Sequence, residues 1–154
     1  MSDESAPPLH AVFRPDSFFL EPFRGWGLTC DPRGRVLSRF EVSGSGRLDV
    51  RGRSAWVEQN IAYDNGRRDR LNWEIVSDDD GHYVGREHDK GLKAEGRAGP
   101  EGFCWGFRTP LPKGGKGWIR VDYTLIGQDV AIARARLTRL GIRLSDTTTF
   151  YRHV

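Results

Sequence analysis

Four histidines and a scatter of carboxylates are the first residues to test for chemistry. His10 and His153 lie in the termini. His82 and His88 fall on one face of a period-two segment, but Glu87 and Asp89 beside them fall on the other. A metal needs its donors converging on one point, so no metal site is expected. For acid–base work the candidates are Glu58, Asp122 and His82, and alternation sets both carboxylates opposite the apolar side of their segments. Gly114-Gly115-Lys116-Gly117 lacks the upstream glycine spacing and the following hydroxyl of a phosphate loop. Gly44-Ser45-Gly46 lacks the second glycine spacing of a nucleophile elbow. No catalytic residue and no cofactor is therefore assigned.

Two residue sets remain. Arg134, Arg136, Arg139 and Arg143 have no acidic neighbour between positions 130 and 145. Arginine matches carboxylates and phosphates with two parallel hydrogen bonds, so the set either grips an anionic headgroup or forms a solvated outer face. The second set is aromatic. Phe40, Tyr63, Trp73, Phe103, Trp105 and Tyr123 all fall on apolar faces, and Gln59 stands among them between Val57 and Ile61. A buried amide needs partners. Gln59 is either bonded structurally, to Tyr63 or nearby backbone, or is a polar anchor within an apolar pocket. The candidate ligand-binding set is thus Phe40, Gln59, Tyr63, Trp73, Trp105 and Tyr123, with Arg134 meeting an acidic headgroup.

Those side chains need strands to position them. Leu71, Trp73 and Ile75 alternate with Arg70, Asn72 and Glu74; Ile119, Val121, Tyr123 and Leu125 alternate with Arg120, Asp122 and Thr124. Such a period gives each strand one buried and one wet side. Turn signals at Asp31-Pro32-Arg33-Gly34, Ser45-Gly46, Arg51-Gly52-Arg53, Asp64-Asn65-Gly66, Asp78-Asp79-Asp80-Gly81, Gly114-Gly115 and Gly127-Gln128-Asp129 follow at hairpin spacing. Asn65-Gly66 reads as a type I′ turn. A meander of this kind hides its edges by closing on itself. The expectation is all-β: an antiparallel up-and-down β-barrel of about ten strands, of the lipocalin or calycin kind, with a two-sheet sandwich as the alternative. Residues 1–11 read as a disordered lead and 12–154 as a single barrel domain. Asp16 is placed to cap a short helical turn that Pro22 stops, leaving Phe18, Phe19 and Phe23 to plug one end. The stretch 130–144 reads either as a strand pair turning at Gly141 or as an amphipathic helix; Thr138 and Gly141 favour strands.

The chain of 154 residues carries a net charge of +3 with both signs interspersed, which is not a nucleic-acid footprint. No 18-residue apolar run exists to span a membrane as a helix. Asp3 and Glu4 occupy the place where a secretory signal needs basic residues, so a cytoplasmic location is expected, with Cys30 and Cys104 as free thiols.

The series Phe19, Gly25-Trp26-Gly27, Asp31-Pro32-Arg33-Gly34-Arg35-Val36, Arg39-Phe40, Tyr63-Asp64-Asn65-Gly66, Trp73, Val121-Asp122-Tyr123 and Arg139-Leu140-Gly141 resembles the bacterial domain-of-unknown-function 3833 family from about Phe13 to Arg152. The resemblance implies a lipocalin-like barrel. Many members look like envelope lipoproteins encoded near enzymes of fatty-acid modification, which implies a connection to lipids or other apolar small molecules. This chain departs from the pattern at Gln59, where an acidic residue is expected, and at Val121-Asp122-Tyr123-Thr124, which replaces a more acidic, tryptophan-bearing segment. With no lipoprotein signal or anchoring cysteine read in it, the envelope location of those members is not expected to carry over. The function expected is a non-enzymatic binding protein for an apolar or amphipathic small molecule such as a fatty-acyl chain. The alternatives are a small enzyme or accessory factor in lipid modification, and an arginine-mediated binder of anionic surfaces.

Overall fold

The period-two segments become ten strands in the computed structural model, which describes residues 12–78 and 80–154. They are β1 (Phe23–Cys30), β2 (Val36–Leu48), β3 (Ser54–Tyr63), β4 (Arg68–Ser77), β5 (His82–Glu87), β6 (Leu92–Gly99), β7 (Gly102–Pro110), β8 (Lys116–Leu125), β9 (Val130–Arg139) and β10 (Ile142–His153). Each strand pairs antiparallel with its sequence neighbour, and β1 pairs with β10, so the sheet closes. Closure leaves no free edge, the solution that a hairpin meander invites. The segment 130–144 forms the β9–β10 strand pair, with Ala131, Ala133 and Ala135 on the inner face. The expected lead, residues 1–11, lies outside the described residues.

Register follows the apolar pattern. Trp73 pairs with Val57 and faces the interior with Leu71 and Ile75. Slipping this pairing by one residue would bury Arg70, Asn72 and Glu74 instead. The Asn65-Gly66 turn is not type I′. Gly66 has a φ of 87°, whereas Asn65 keeps a negative φ, and the Gly66 amide donates to the Tyr63 carbonyl at 3.0 Å. A type I turn followed by a left-handed glycine has taken its place, as fits a longer hairpin loop. The two-residue loop with both φ values positive lies elsewhere, at Leu140 (φ 51°) and Gly141 (φ 80°).

One end of the barrel is plugged. The helical turn α1 (Pro15–Phe18) begins after Arg14, and Asp16 sits in its first turn instead of capping it. Proline at the first helical position supplies the φ that the turn needs. Asp16 Oδ1 accepts the buried Tyr83 hydroxyl at 3.0 Å, tying the turn to β5. The turn ends at Phe18, ahead of Pro22. Phe18, Phe19 and Phe23 fill this end as expected, together with Phe13, whose ring stacks on Tyr123 at 4.9 Å. His153 Nε2 donates to the Phe18 carbonyl at 2.7 Å and fastens the plug to the last strand. Both cysteines are free thiols.

Candidate functional site

Between the plug and the opposite end the barrel keeps a cavity of about 270 Å³. Six sequence-predicted residues line it: Phe40, Gln59, Tyr63, Trp73, Trp105 and Tyr123. They come from five strands, β2, β3, β4, β7 and β8, and alternation alone turns each of them inward. Trp73 and Trp105 lean together at 4.8 Å, and Trp73 meets Phe107 edge-on at 5.5 Å. Gly85 makes room for this pair, since a Cβ there would stand 2.6 Å from Trp105 Cζ3. Phe40 and Tyr63, 5.8 Å apart, form the wall nearer the unplugged end.

The polar atoms in this wall are few. Thr29 and Thr147 share a hydroxyl–hydroxyl bond of 2.8 Å. Tyr123 and Tyr151 are held neutral: burial pushes the Tyr123 hydroxyl well above its ordinary pKa of 10.0 and Tyr151 up to about 12. Trp105 Nε1 is buried and has no hydrogen-bond partner among the described residues. It lies near the Tyr123 hydroxyl without meeting it in hydrogen-bond geometry. Gln59 is buried on the same wall. A bond from Gln59 to Tyr63 is ruled out by strand geometry, because four residues along one strand span about 13 Å. No lysine, arginine, aspartate, glutamate or histidine lines the cavity among the described residues.

Arg134 does not join the set. It stands on β9 between Ala133 and Ala135, whose side chains face inward, so its own side chain faces out, opposite Asp122 and Thr148. Reading the four arginines as a possible headgroup grip overlooked that alternation excludes Arg134 from the lumen once its alanine neighbours are inside. Phe19, Ile61, Phe107, Thr149 and Tyr151 line the cavity and were missing from the sequence-derived set. Thr147, Thr149 and Tyr151 carry a period-two signal that could have found them.

The other chemical candidates lie outside the cavity. Glu58 pairs with Arg70 at 3.4 Å and Asp122 with Arg120 at 3.5 Å, both on the outer wall. His82 and His88 do share a face of one strand line. Six residues separate them, about 20 Å at the strand rise, so they cannot share an ion. His82 lies 3.5 Å from Asp78, and His88 meets Glu74 at 3.2 Å and stacks on Trp56. The buried Glu87 accepts backbone amides of Asn72, Asp89 and Lys90, a structural task at the β5–β6 hairpin. No group of three possible metal ligands occurs among the described residues. A second, open concavity of about 830 Å³ lies on the outer wall of β10, β1, β2 and β3, around Trp26, Leu28 and Phe150.

Among solved structures, the crystal structure of a protein of unknown function from the DUF3598 family of Nostoc punctiforme shares this fold, with a TM-score of 0.59. The two are 14% identical; the match covers 98% of this chain and 53% of that one, so this chain spans about half its length. No curated protein matches the sequence. The model of the protein family of unknown function DUF3833 matches residues 5–153, nearly the whole sequence, and the chain belongs to that family.

Proposed function

We propose that this barrel is a binding protein for a small, largely apolar molecule that carries an uncharged hydrogen-bond acceptor. The observation that carries the reading is the orphaned Trp105 Nε1–H beside an aromatic cavity. Leaving a buried donor unmet costs about 1–3 kcal/mol; Nε1 is closed off from the cavity in this structure, so a ligand's acceptor recovers that cost by tilting the indole toward itself. Tyr123 and Gln59 stand on the same wall as additional neutral partners. With no cation lining the cavity, a free carboxylate inside it would be desolvated without compensation. An ester or amide carbonyl, such as that of a fatty-acyl group in either linkage, suits these donors. The carboxylates and histidines lie outside the cavity, which supports binding over catalysis. A cavity of about 270 Å³ sits at the foot of the usual range of roughly 300–1,000 Å³. It suits a small ligand, or one end of a longer chain that projects from the unplugged end.

The test pairs a medium-chain methyl ester with the alkane of equal length, each titrated by quenching of tryptophan fluorescence. The expected result is tighter binding of the ester. In Trp105→Phe that advantage shrinks by roughly tenfold, the loss of one hydrogen bond to a buried donor, while the alkane is held about as before. Failure of both probes to bind, or an ester advantage untouched by Trp105→Phe, would overturn the reading.

A further inference from the structure

The exposed apolar residues are not spread evenly over the barrel. Of the fourteen exposed among the described residues, eight (Trp26, Leu28, Val36, Leu37, Leu140, Ile142, Leu144 and Phe150) belong to one sector, formed by β10, β1, the unplugged end of β2 and the β9–β10 hairpin, while the other six, Val50, Trp118 and Ile126 among them, lie apart from it. Register makes them a stripe. Trp26 faces Phe150 across the β1–β10 ladder, and Leu28 lies one step nearer the unplugged end. The β1–β10 ladder stops at Cys30 opposite Asp146, so Ile142–Ser145 run on with no partner on β1. The stripe ends at Leu140, which is 94% exposed.

Leu140 is a costly choice for its position. Its φ of 51° is left-handed, a conformation that asparagine, aspartate and glycine adopt far more readily than a branched side chain. Nothing within the barrel is gained for that strain, because the side chain packs on nothing there. An exposed apolar patch of this extent marks a surface for a partner.

The charges beside the stripe say which partner. Arg33, Arg39, Arg134 and Arg152 flank it, and none has a carboxylate within 4.0 Å among the described residues. The acids of the sector are mostly engaged already: Asp31 by Arg35, Glu41 by Arg24, and Asp146 by Arg136 and Arg143. The hairpins of the plugged end are the more acidic, with Asp49, Asp78, Asp80, Glu101 and Asp129 against Arg51 and Arg53. A second copy docked stripe to stripe would press like-charged flanks together. An anionic lipid surface meets both features, taking the aromatic and aliphatic side chains at its interface and the guanidinium groups at its headgroups.

We propose that the β10–β1–β2 sector, tipped by Leu140, docks this barrel on anionic bilayers with its unplugged end toward the lipid. The proposal stands apart from the lumen's occupancy: it rests on outer-wall residues, and its test needs no lumen ligand.

The test is flotation of the full chain with vesicles of equal phosphatidylglycerol and phosphatidylcholine, set against pure phosphatidylcholine. Binding to the anionic vesicles alone is expected, weakening by roughly fivefold for each arginine removed in Arg33→Gln and Arg39→Gln. Leu140→Asn relieves the left-handed leucine, so it folds at least as well as the parent. It is nevertheless expected to weaken vesicle binding by roughly tenfold, the loss of one buried leucine side chain. Equal binding to both vesicle types, binding to neither, or full binding by Leu140→Asn would overturn the proposal. So would a dimer in sedimentation velocity that Leu140→Asn abolishes, which would assign the stripe to a second copy.

Discussion

Replacing Trp73 by alanine tests the placement of the interior and the purpose of its cavity together. The indole is 5% exposed, leans on Trp105 at 4.8 Å, meets Phe107 at 5.5 Å and passes close over Gly85. Truncating a buried tryptophan costs about 3–5 kcal/mol. Part of this ring borders the existing cavity, where it has no packing partner to lose, so the expected cost is in the lower half of that range, about 3–4 kcal/mol. For a domain of this length that lowers Tm by about 10 °C. Urea denaturation followed by far-ultraviolet circular dichroism gives the midpoint without relying on the tryptophans. The enlarged, aromatic-walled cavity should then take a longer alkane or ester than the parent accepts. A ligand at a hundred times its Kd restores about 2.7 kcal/mol, so most of the lost stability should return. A near-parental midpoint would refute the packing argument. A large loss that no apolar ligand restores would refute the claim that the space beside Trp73 admits a ligand.

Alkaline pH should unfold the barrel through its buried tyrosines. Tyr151 has its folded pKa raised to about 12 against an ordinary 10.0, so the native state holds its proton more tightly than the unfolded chain does. Stability is therefore unaffected below pH 10 and falls as pH rises from there to about 12, by about 2–3 kcal/mol from this residue. Tyr123 shifts in the same direction and steepens the loss. Denaturation midpoints across that window should fall less for Tyr151→Phe; an identical slope would refute the assignment. Gly44→Ala tests the β2–β3 contact, since its Cβ would stand 2.1 Å from the Glu58 carbonyl oxygen, a backbone atom that cannot swing aside. A loss of about 1–3 kcal/mol is expected in thermal denaturation, and a neutral result would show that the two strands are farther apart.

Most of the fold was legible because one rule governs nearly every strand. Period-two alternation assigned Trp73, Trp105 and Tyr123 to the interior, and turn residues at hairpin spacing implied a closed meander. Local chemistry was less decisive where two backbone solutions satisfy the same residues. Asn65-Gly66 is compatible with both type I′ and the longer loop with a left-handed glycine, and only the register of β3 against β4 selects between them. Leu140 shows the converse. No propensity points to a leucine in a left-handed turn, and the hairpin geometry between Arg139 and Ile142 imposes that conformation on it.

The candidate site divides along the same line. Residues that belong to it by alternation, Phe40, Gln59, Tyr63, Trp73, Trp105 and Tyr123, were found because facing inward is a property of single strands. Arg134 was misplaced because it was chosen by charge, and charge says nothing about direction; Ala133 and Ala135, small enough to look featureless, were the better guides to where that strand points. The orphaned Trp105 donor was invisible for a different reason. Whether a buried N–H is satisfied depends on which atoms other strands bring near it, here the Tyr123 hydroxyl of β8, which does not complete a bond. The most informative atom of the lumen is thus a consequence of closure, and the apolar stripe on the outer wall is one too: Trp26 and Phe150 stand 124 positions apart in sequence and become neighbours only when β1 meets β10.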